Sequence, residues 1–159
     1  MNKDTRSKQT TVTPLNKPPE SLRLKNQICF PLYSASNAIV RAYRPYLAEL
    51  ELTYLQYIVL MVLWEENSLN VKQLGQYLNL DSGTLTPLLK RLESKGMIAR
   101  ARSQSDERSR IISITQQGKA LQGRAEMIPE KLFCEVGLEK EELQQLSQLC
   151  KQLLLKLQK

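Results

Sequence analysis

The chain has 159 residues, enough for one domain with a substantial core, and 23 lysines and arginines against 16 acidic residues give a net charge of +7. This balance favours a polyanionic partner, of which nucleic acid is the commonest. The chain contains no histidine, which excludes Ser-His-Asp and Cys-His catalysis and every metal site that needs imidazole. No cofactor or metal is indicated by the sequence.

The apolar runs and the cysteines indicate the cellular compartment in which the protein is expected. The longest nearly apolar run, residues 55–64, is too short to span a bilayer, and the amino end lacks a hydrophobic signal core. We therefore expect a cytoplasmic protein without a membrane partner. Three cysteines, Cys29, Cys134 and Cys150, are far apart and odd in number, which fits neither a secreted disulfide framework nor a zinc set. In a reducing compartment they are free thiols, either buried or redox-active.

The amino-terminal half begins with a polar stretch. Residues 1–21 have no apolar periodicity, which predicts a disordered arm before a single domain over residues 22–159. Residues 22–46 have apolar side chains at helical spacing; Pro31 is expected to bend this helix just after Cys29, and Pro45 to help end it. Thr53 is expected to cap a second helix over residues 54–66, which is apolar nearly all round and therefore central and buried.

The next stretch has the pattern of a helix-turn-helix. A short link at residues 68–70 precedes a brief helix at 71–78, a turn at 79–80 and a second helix that ends near Gly96. The apolar face of the second helix should lie on the core, and its other face carries hydroxyls and cations that suit bases and phosphates: Ser82, Thr84, Thr86, Lys90 and Arg91. Its start is open, because Asp81 is a good cap whereas Pro87 prefers the first turn after a cap at Thr86.

A hairpin is predicted after this helix. Residues 97–102 and 110–115 read as two short strands, and the polar loop between them contains Asp106 and Arg108. A helix followed by a hairpin with a charged tip is the outline of a winged helix-turn-helix, here residues 53–115. The fold class is therefore mainly α with a small β-hairpin wing. An ordinary solvated helix and hairpin is the alternative.

The carboxyl-terminal part is predicted to be helical. Residues 116–136 should bend or break at Pro129, and residues 139–157 carry a leucine stripe that includes Cys150, which we interpret as core. A terminal helix so apolar on one side needs a partner surface. With residues 22–46, residues 116–159 are the candidate dimer interface, since readers of two-fold DNA sites are commonly dimers. Packing within the same subunit is the alternative.

Five strings resemble the MarR family, and in particular its organic-hydroperoxide-resistance regulator (OhrR) branch. They are LKNQICF (residues 24–30), LELTYLQY (50–57), VLWE (62–65), LDSGTLTPLLKRLE (80–93) and the wing DERSRIISIT (106–115). The resemblance covers residues 22–157. It implies a homodimeric winged-helix repressor, not an enzyme, that binds a palindromic operator in double-stranded DNA and responds to an organic hydroperoxide.

The resemblance also implies a sensor. The cysteine in the matching string is Cys29, and the tyrosines that family members place beside it match Tyr33, Tyr43 and Tyr54. A thiolate is the nucleophile towards peroxide, and phenols can donate hydrogen bonds to it. Cys134 matches the second cysteine of two-cysteine members, in which the oxidised sensor forms a disulfide with the other subunit. Single-cysteine members form a mixed disulfide with a small thiol instead, and that alternative stays open.

For DNA, the resemblance implies that one set of side chains lies in or beside the major groove: Ser82, Thr84, Thr86, Pro87 and Arg91. Arg108 is implied to reach the minor groove, with Asp106 holding the hairpin in shape, and the early helix start at Asp81 is favoured. Two other functions remain open. One is a MarR-type regulator released by a small phenolic ligand, and the other is a thiol peroxidase.

Overall fold

The computed structural model describes residues 19–102 and 109–157. Residues 1–18 of the predicted arm, and Asp106 and Arg108 of the predicted wing, lie outside the described residues. The described chain divides between Ala38 and Ile39 into two compact units.

The amino-terminal region is not one continuous helix. Two 3₁₀ turns, Glu20–Leu22 and Leu24–Asn26, come first, and helix α1 then spans Cys29–Ala48. The predicted helix start at residue 22 is therefore wrong, and the end of the predicted arm lies in a turn. The predicted bend at Pro31 is wrong too, because Pro31 is the third residue of α1, where a backbone N–H has no partner within the helix. Pro45 lies inside α1 and does not end it.

Helix α2, Tyr54–Glu66, is the centre of the core, as predicted. Thr53 caps it: the Thr53 hydroxyl accepts from the N–H of Gln56 at 3.4 Å, and the Gln56 side chain accepts from the N–H of Thr53 at 3.0 Å. Val59, Leu60 and Leu63 are 0% exposed. The buried cluster around them draws side chains from the next two helices and the sheet, among them Leu74, Leu85, Leu89, Leu92 and Ile112.

A three-stranded antiparallel sheet accompanies the helices. Its strands are β1 (Ser68–Asn70), β2 (Ile98–Arg102) and β3 (Arg110–Ile114), in the order β1-β3-β2. The predicted hairpin is confirmed to within a residue at each end. The predicted link at residues 68–70 is instead a strand, since Ser68 pairs with Ser113 and Asn70 with Ile111.

The two helices of the predicted helix-turn-helix are α3 (Val71–Leu78) and α4 (Ser82–Ser94). Asn70 and Gln73 form a capping box at the start of α3. Asn79 follows α3 in the left-handed conformation, with φ 52° and ψ 42°, which lets the chain turn sharply into α4. The predicted helix-turn-helix is thereby confirmed.

Three helices complete the chain: α5 (Gln116–Ala125), α6 (Ile128–Val136) and α7 (Lys140–Leu157). The predicted break near Pro129 is confirmed; it falls just before α6, of which Pro129 is the second residue. No residue of α7 is buried, and Cys150 is half-buried rather than core as predicted. None of the helices in the described residues has the length and apolar character of a membrane span.

The start of α5 packs closely on the base of the wing. The N–H of Thr115 donates to the carbonyl of Met97 at 3.1 Å, and the Thr115 hydroxyl caps α5 by accepting from the N–H of Gly118 at 3.1 Å. The indole N–H of Trp64 donates to the carbonyl of Gly118 at 3.0 Å. Helix α2, the wing and α5 therefore meet at Gly118.

Candidate DNA-binding surface and thiol sites

The start of the second helix is fixed by Asp81. Its carboxylate accepts from the backbone N–H of Thr84 at 2.9 Å and from the Thr84 hydroxyl at 3.0 Å. These two hydrogen bonds, the backbone one first, hold the pKa of Asp81 below its usual value. The early start is therefore correct and the start at Thr86 is wrong. Pro87 lies inside α4 on its exposed side, where the missing N–H leaves the carbonyl of Gly83 without its usual helical donor.

One face of α4 is buried and the other is open. Leu85, Leu88, Leu89 and Leu92 lie in the core, each at most 8% exposed. The opposite face is exposed and includes most of the residues predicted to bind DNA: Ser82, Thr86, Pro87, Lys90 and Arg91. Thr84 is half-buried between the two faces. The structure thus brings the predicted contact residues of α4 onto one surface.

Two threonine hydroxyls of α4 already donate hydrogen bonds within the protein. The hydroxyl of Thr84 donates to Asp81, and that of Thr86 donates to the carbonyl of Ser82 at 2.7 Å. A hydroxyl has one proton and two lone pairs, so in these positions both threonines offer acceptors to a partner. Phosphate oxygens only accept, whereas the exposed amino groups of adenine and cytosine donate in the major groove. The two threonines are therefore better suited to base edges than to phosphates.

The wing is fastened to the second helix by an ion pair. Arg100 of β2 donates to the same carboxylate oxygen of Glu93 through Nε, at 2.7 Å, and through Nη2. This hydrogen-bonded guanidinium lowers the pKa of Glu93. Arg100 is therefore a structural cation, and its charge is already used within the protein.

Other cations near α4 were counted in the charge of this stretch but were not among the residues predicted to bind DNA. Arg102 and Arg110, both exposed, lie directly opposite each other in the wing. Like charges in this position destabilise a hairpin unless an anion lies between them. Arg110 also lines a groove of about 900 Å³, the reading groove, together with Lys72, Gln76 and Ser82. The facing cations could have been found by aligning the two predicted strands.

Two of the three predicted sensor tyrosines, Tyr43 and Tyr54, belong to an aromatic cluster. The ring centroids of Tyr43 and Tyr54 are 5.1 Å apart, and Tyr57, which was not predicted, is 5.8 Å from Tyr43. Burial raises the pKa of Tyr43 to about 12 and also raises the pKa of Tyr54 and Tyr57. All three therefore keep their O–H at neutral pH and can donate hydrogen bonds. Tyr33 is 68% exposed and lies one helical turn after Cys29 on α1.

Two exposed thiols lie at helix ends. Cys29 is the first residue of α1, where backbone N–H groups and the helix dipole favour a negative group. Cys134 lies in the last turn of α6 and lines an apolar groove of about 960 Å³ with Phe133, Leu138 and Leu143. Both thiols are free and solvent-accessible, which a peroxide-sensing and a resolving cysteine require.

Polar neighbours of Cys134 were also missed. The Tyr46 hydroxyl donates to the carboxylate of Glu135, the next residue after Cys134. The Lys131 ammonium lies 5.9 Å from the centroid of the Tyr46 ring. The hydrogen bond to Glu135 raises the pKa of Tyr46, and charge on Cys134 acts in the same direction. Tyr46 and Glu135 are 89 residues apart in the chain, so no local pattern marks this pair.

A model of the SarA/Rot transcriptional regulators matches residues 41–124. An organic hydroperoxide resistance transcriptional regulator of Bacillus subtilis is 46% identical over 130 residues, which cover 82% of this chain and 86% of that protein. The chain belongs to the SarA/Rot family of transcriptional regulators. The regulator SarZ of Staphylococcus aureus is 46% identical over 123 residues, 77% of this chain and 83% of SarZ. The resemblance to the OhrR branch of the MarR regulators is confirmed.

Solved structures give the same fold. Reduced AbfR bound to DNA aligns with a TM-score of 0.73 at 37% identity, over 88% of this chain and 98% of AbfR, a protein of Staphylococcus epidermidis. Disulfide-formed AbfR aligns with a TM-score of 0.60 at 39% identity, over 85% and 95% of the two chains. This SarA/Rot member is therefore a winged-helix, DNA-binding transcriptional regulator and not an enzyme.

Proposed function

We propose that this regulator is a homodimeric, redox-sensing repressor that releases a palindromic operator when an organic hydroperoxide oxidises Cys29. One observation carries the proposal: both Cys29 and Cys134 are free thiols exposed at helix ends. Oxidation would convert Cys29 to a sulfenic acid, and Cys134 of the other subunit would displace its hydroxyl to form a disulfide. A thiol would later reduce that bond and restore DNA binding.

The redox forms of AbfR support a role for the disulfide. AbfR has been solved bound to DNA in a reduced form and in an overoxidized form, and separately with its disulfide formed. The reduced form is more similar to this chain than the disulfide form, with TM-scores of 0.73 and 0.60. We infer that in this chain the disulfide, rather than oxidation of sulfur as such, opposes DNA binding.

The tyrosines would support the sensor. Tyr43 and Tyr54 are protonated donors whose rings are in contact. A phenol O–H can stabilise a thiolate and the oxygen of a bound hydroperoxide. Tyr33, one turn from Cys29, is expected to have the same role. Oxidation would thus be favoured at Cys29 over the other cysteines.

The dimer would form through helices α1 and α5–α7. The stripe on α7 is unburied, with Leu146 at 42%, Leu149 at 63% and Leu154 at 46% exposed. An apolar patch of this kind is typical of an interaction site. It is the surface that a second subunit would cover, which favours the dimer over packing within one chain.

The DNA would be held by α4 and the wing. Ser82, Thr84, Thr86 and Pro87 would face base edges in the major groove, and Lys90 and Arg91 would contact phosphates. Arg108 would enter the minor groove, with Asp106 shaping the wing. Lys72 and Arg110 add positive charge to the reading groove, and Arg102 lies opposite Arg110 in the wing.

The test is operator release under oxidation. Fluorescence anisotropy with a labelled palindromic operator, at one fixed salt concentration, would compare wild type with Cys29→Ser, Cys134→Ser and, as the matched control, Cys150→Ser. We expect cumene hydroperoxide to release wild type and Cys150→Ser, whereas the other two variants stay bound. Release of Cys29→Ser would show that Cys29 is not the sensor, and release of Cys134→Ser would favour a mixed disulfide with a small thiol. Release by a phenolic compound but not by oxidant would favour a ligand-responsive regulator.

A further inference from the structure

The last turn of α6 has few core contacts to orient it. Ile128 and Leu132 are the buried residues of this helix, and both lie in its earlier turns. The residues that follow Leu132, including Cys134, are all exposed. The helix ends at Gly137, which is left-handed with φ +66° and has nothing within 4 Å of the position where a Cβ would lie. Interactions other than burial must therefore set the direction in which Cys134 points.

Tyr46 supplies such an interaction. It lies near the end of α1, and its hydroxyl donates to the Glu135 carboxylate, so it ties the turn that contains Cys134 to another helix. Its ring faces the Lys131 ammonium, one turn before Cys134 on α6. The carboxylate raises the pKa of Tyr46, so the phenol keeps its proton, and with it the hydrogen bond, across the pH range in which thiols react.

We propose that Tyr46, through its hydrogen bond to Glu135, is a positioning residue for the Cys134 thiol. By holding that turn in place, Tyr46 determines the fraction of oxidised Cys29 that forms a disulfide rather than a sulfinic acid. This inference rests on the proposed function and goes beyond it, because it assigns a role in redox partitioning to two residues that the proposed function does not use.

Two reactions compete for the Cys29 sulfenic acid. In the first, the Cys134 sulfur forms the S–S bond, the S–O bond of the sulfenic acid breaks, and the departing hydroxide takes the thiol proton and leaves as water. In the second, another hydroperoxide transfers oxygen to the sulfenic acid and leaves as the alcohol, giving a sulfinic acid. A disulfide forms only within a small range of distances and angles, so the rate of the first reaction depends on how often Cys134 is correctly oriented. The rate of the second reaction depends on the hydroperoxide concentration and not on the orientation of α6.

The experiment measures this partition in the full-length reduced protein. Cumene hydroperoxide would be added over a range of concentrations, with the disulfide-linked dimer quantified on non-reducing gels and the Cys29 sulfinic acid by mass spectrometry. For Tyr46→Phe we expect the ratio of disulfide to sulfinic acid to fall on the order of fivefold, the factor that one net hydrogen bond supplies. The rate at which the Cys29 sulfenic acid forms, measured with enough dimedone to trap all of it, should equal the wild-type rate, because Cys29 itself is unchanged.

Two controls separate positioning from general damage. Tyr77→Phe removes a comparable phenol, whose hydroxyl donates to Glu66 at 2.8 Å far from Cys134 in the chain, and should leave the ratio unchanged. Glu135→Gln keeps an oxygen acceptor for Tyr46 and should retain most of the wild-type ratio, whereas Glu135→Ala should match Tyr46→Phe. The double variant Tyr46→Phe with Glu135→Ala should be no worse than either single one, since both remove the same bond.

The possible outcomes test the positioning role of Tyr46 separately from the proposed redox-sensing function. If wild type forms the disulfide and Tyr46→Phe partitions as wild type does, or if the two losses add, the positioning role is overturned and the redox function stands. The effect of Tyr46→Phe on the ratio of disulfide to sulfinic acid should be the same at every pH. If this effect changes steeply between about pH 6 and pH 9, Tyr46 acts in acid–base catalysis, and the positioning role is overturned. If wild type forms no disulfide at all, both proposals fail.

Discussion

The contact at Gly118 leads to a sharp prediction for stability. Gly118 is the third residue of α5, and a Cβ built on it would lie 2.2 Å from the carbonyl oxygen of Met97 and 2.9 Å from Cγ1 of Ile114. The Met97 oxygen belongs to the backbone and is held by the N–H of Thr115 at 3.1 Å. The side chain added by Gly118→Ala must therefore displace the start of α5 from the base of the wing.

The magnitude follows from two opposing effects. Overpacking of a fixed site costs about 1–3 kcal/mol, and alanine in a helix recovers up to about 1 kcal/mol relative to glycine. Because the displaced atom is backbone, we expect the overpacking to be at its upper limit of about 3 kcal/mol, and Gly118→Ala to lower the free energy of unfolding by about 2–3 kcal/mol overall. Gly123, in the same helix, has nothing within 4 Å of its Cβ position. Gly123→Ala should therefore raise the free energy by about 0.5–1 kcal/mol.

The assay is urea unfolding of the reduced protein, with all variants at one protein concentration so that association affects them equally. Operator affinity would be measured beside it, and we expect it to fall for Gly118→Ala alone, because only that change moves the wing against α5. Equal urea midpoints for the two alanine variants would refute the close packing at Gly118.

Three other changes test separate parts of the structure. The pKa of Asp81 is lowered in the folded protein, so its contribution to stability is present above the unfolded pKa and is lost as the pH falls through the folded pKa. Asparagine can still cap the helix but does not titrate. The urea midpoint should therefore fall less for Asp81→Asn than for wild type between about pH 5 and pH 2. Arg91→Gln should reduce the salt slope of operator binding by about 1, measured by anisotropy over a salt series, and an unchanged slope would argue against a phosphate contact. Leu60→Ala, at a fully buried position, should cost about 2–5 kcal/mol in urea unfolding, and a loss below about 1 kcal/mol would be inconsistent with a close-packed core.

Local signals made much of the fold predictable. Helix α2 was predicted with correct bounds because Thr53 caps it and its apolar residues fill the core. Helix α3 has a capping box of its own at Asn70. In both cases the residues that define the end of the helix lie within a few positions of it. The start of α4 could not be settled by propensity, because Asp81 and Pro87 favour different starts and the outcome depends on packing.

The missed features depend on long-range contacts. Strand β1 has only three residues and exists because Ser68 pairs with Ser113 in the wing. The bond between Tyr46 and Glu135 joins residues 89 positions apart. The Lys95 ammonium, beside the end of α4, donates to the carbonyl of Glu51, 44 residues away in the chain. The α4 contact residues were predicted as a group because they share one helical face.

Strand β1 has a mechanical consequence for DNA binding. It continues directly into α3 and is paired along its length with β3, so the root of the wing and the first helix of the helix-turn-helix share one backbone and one hydrogen-bond ladder. Shifting either against the other would rupture that ladder. A stimulus that moves α3 is therefore expected to carry the root of the wing with it. Spin labels attached to α3 and to β3 should keep the same separation in reduced and oxidised protein.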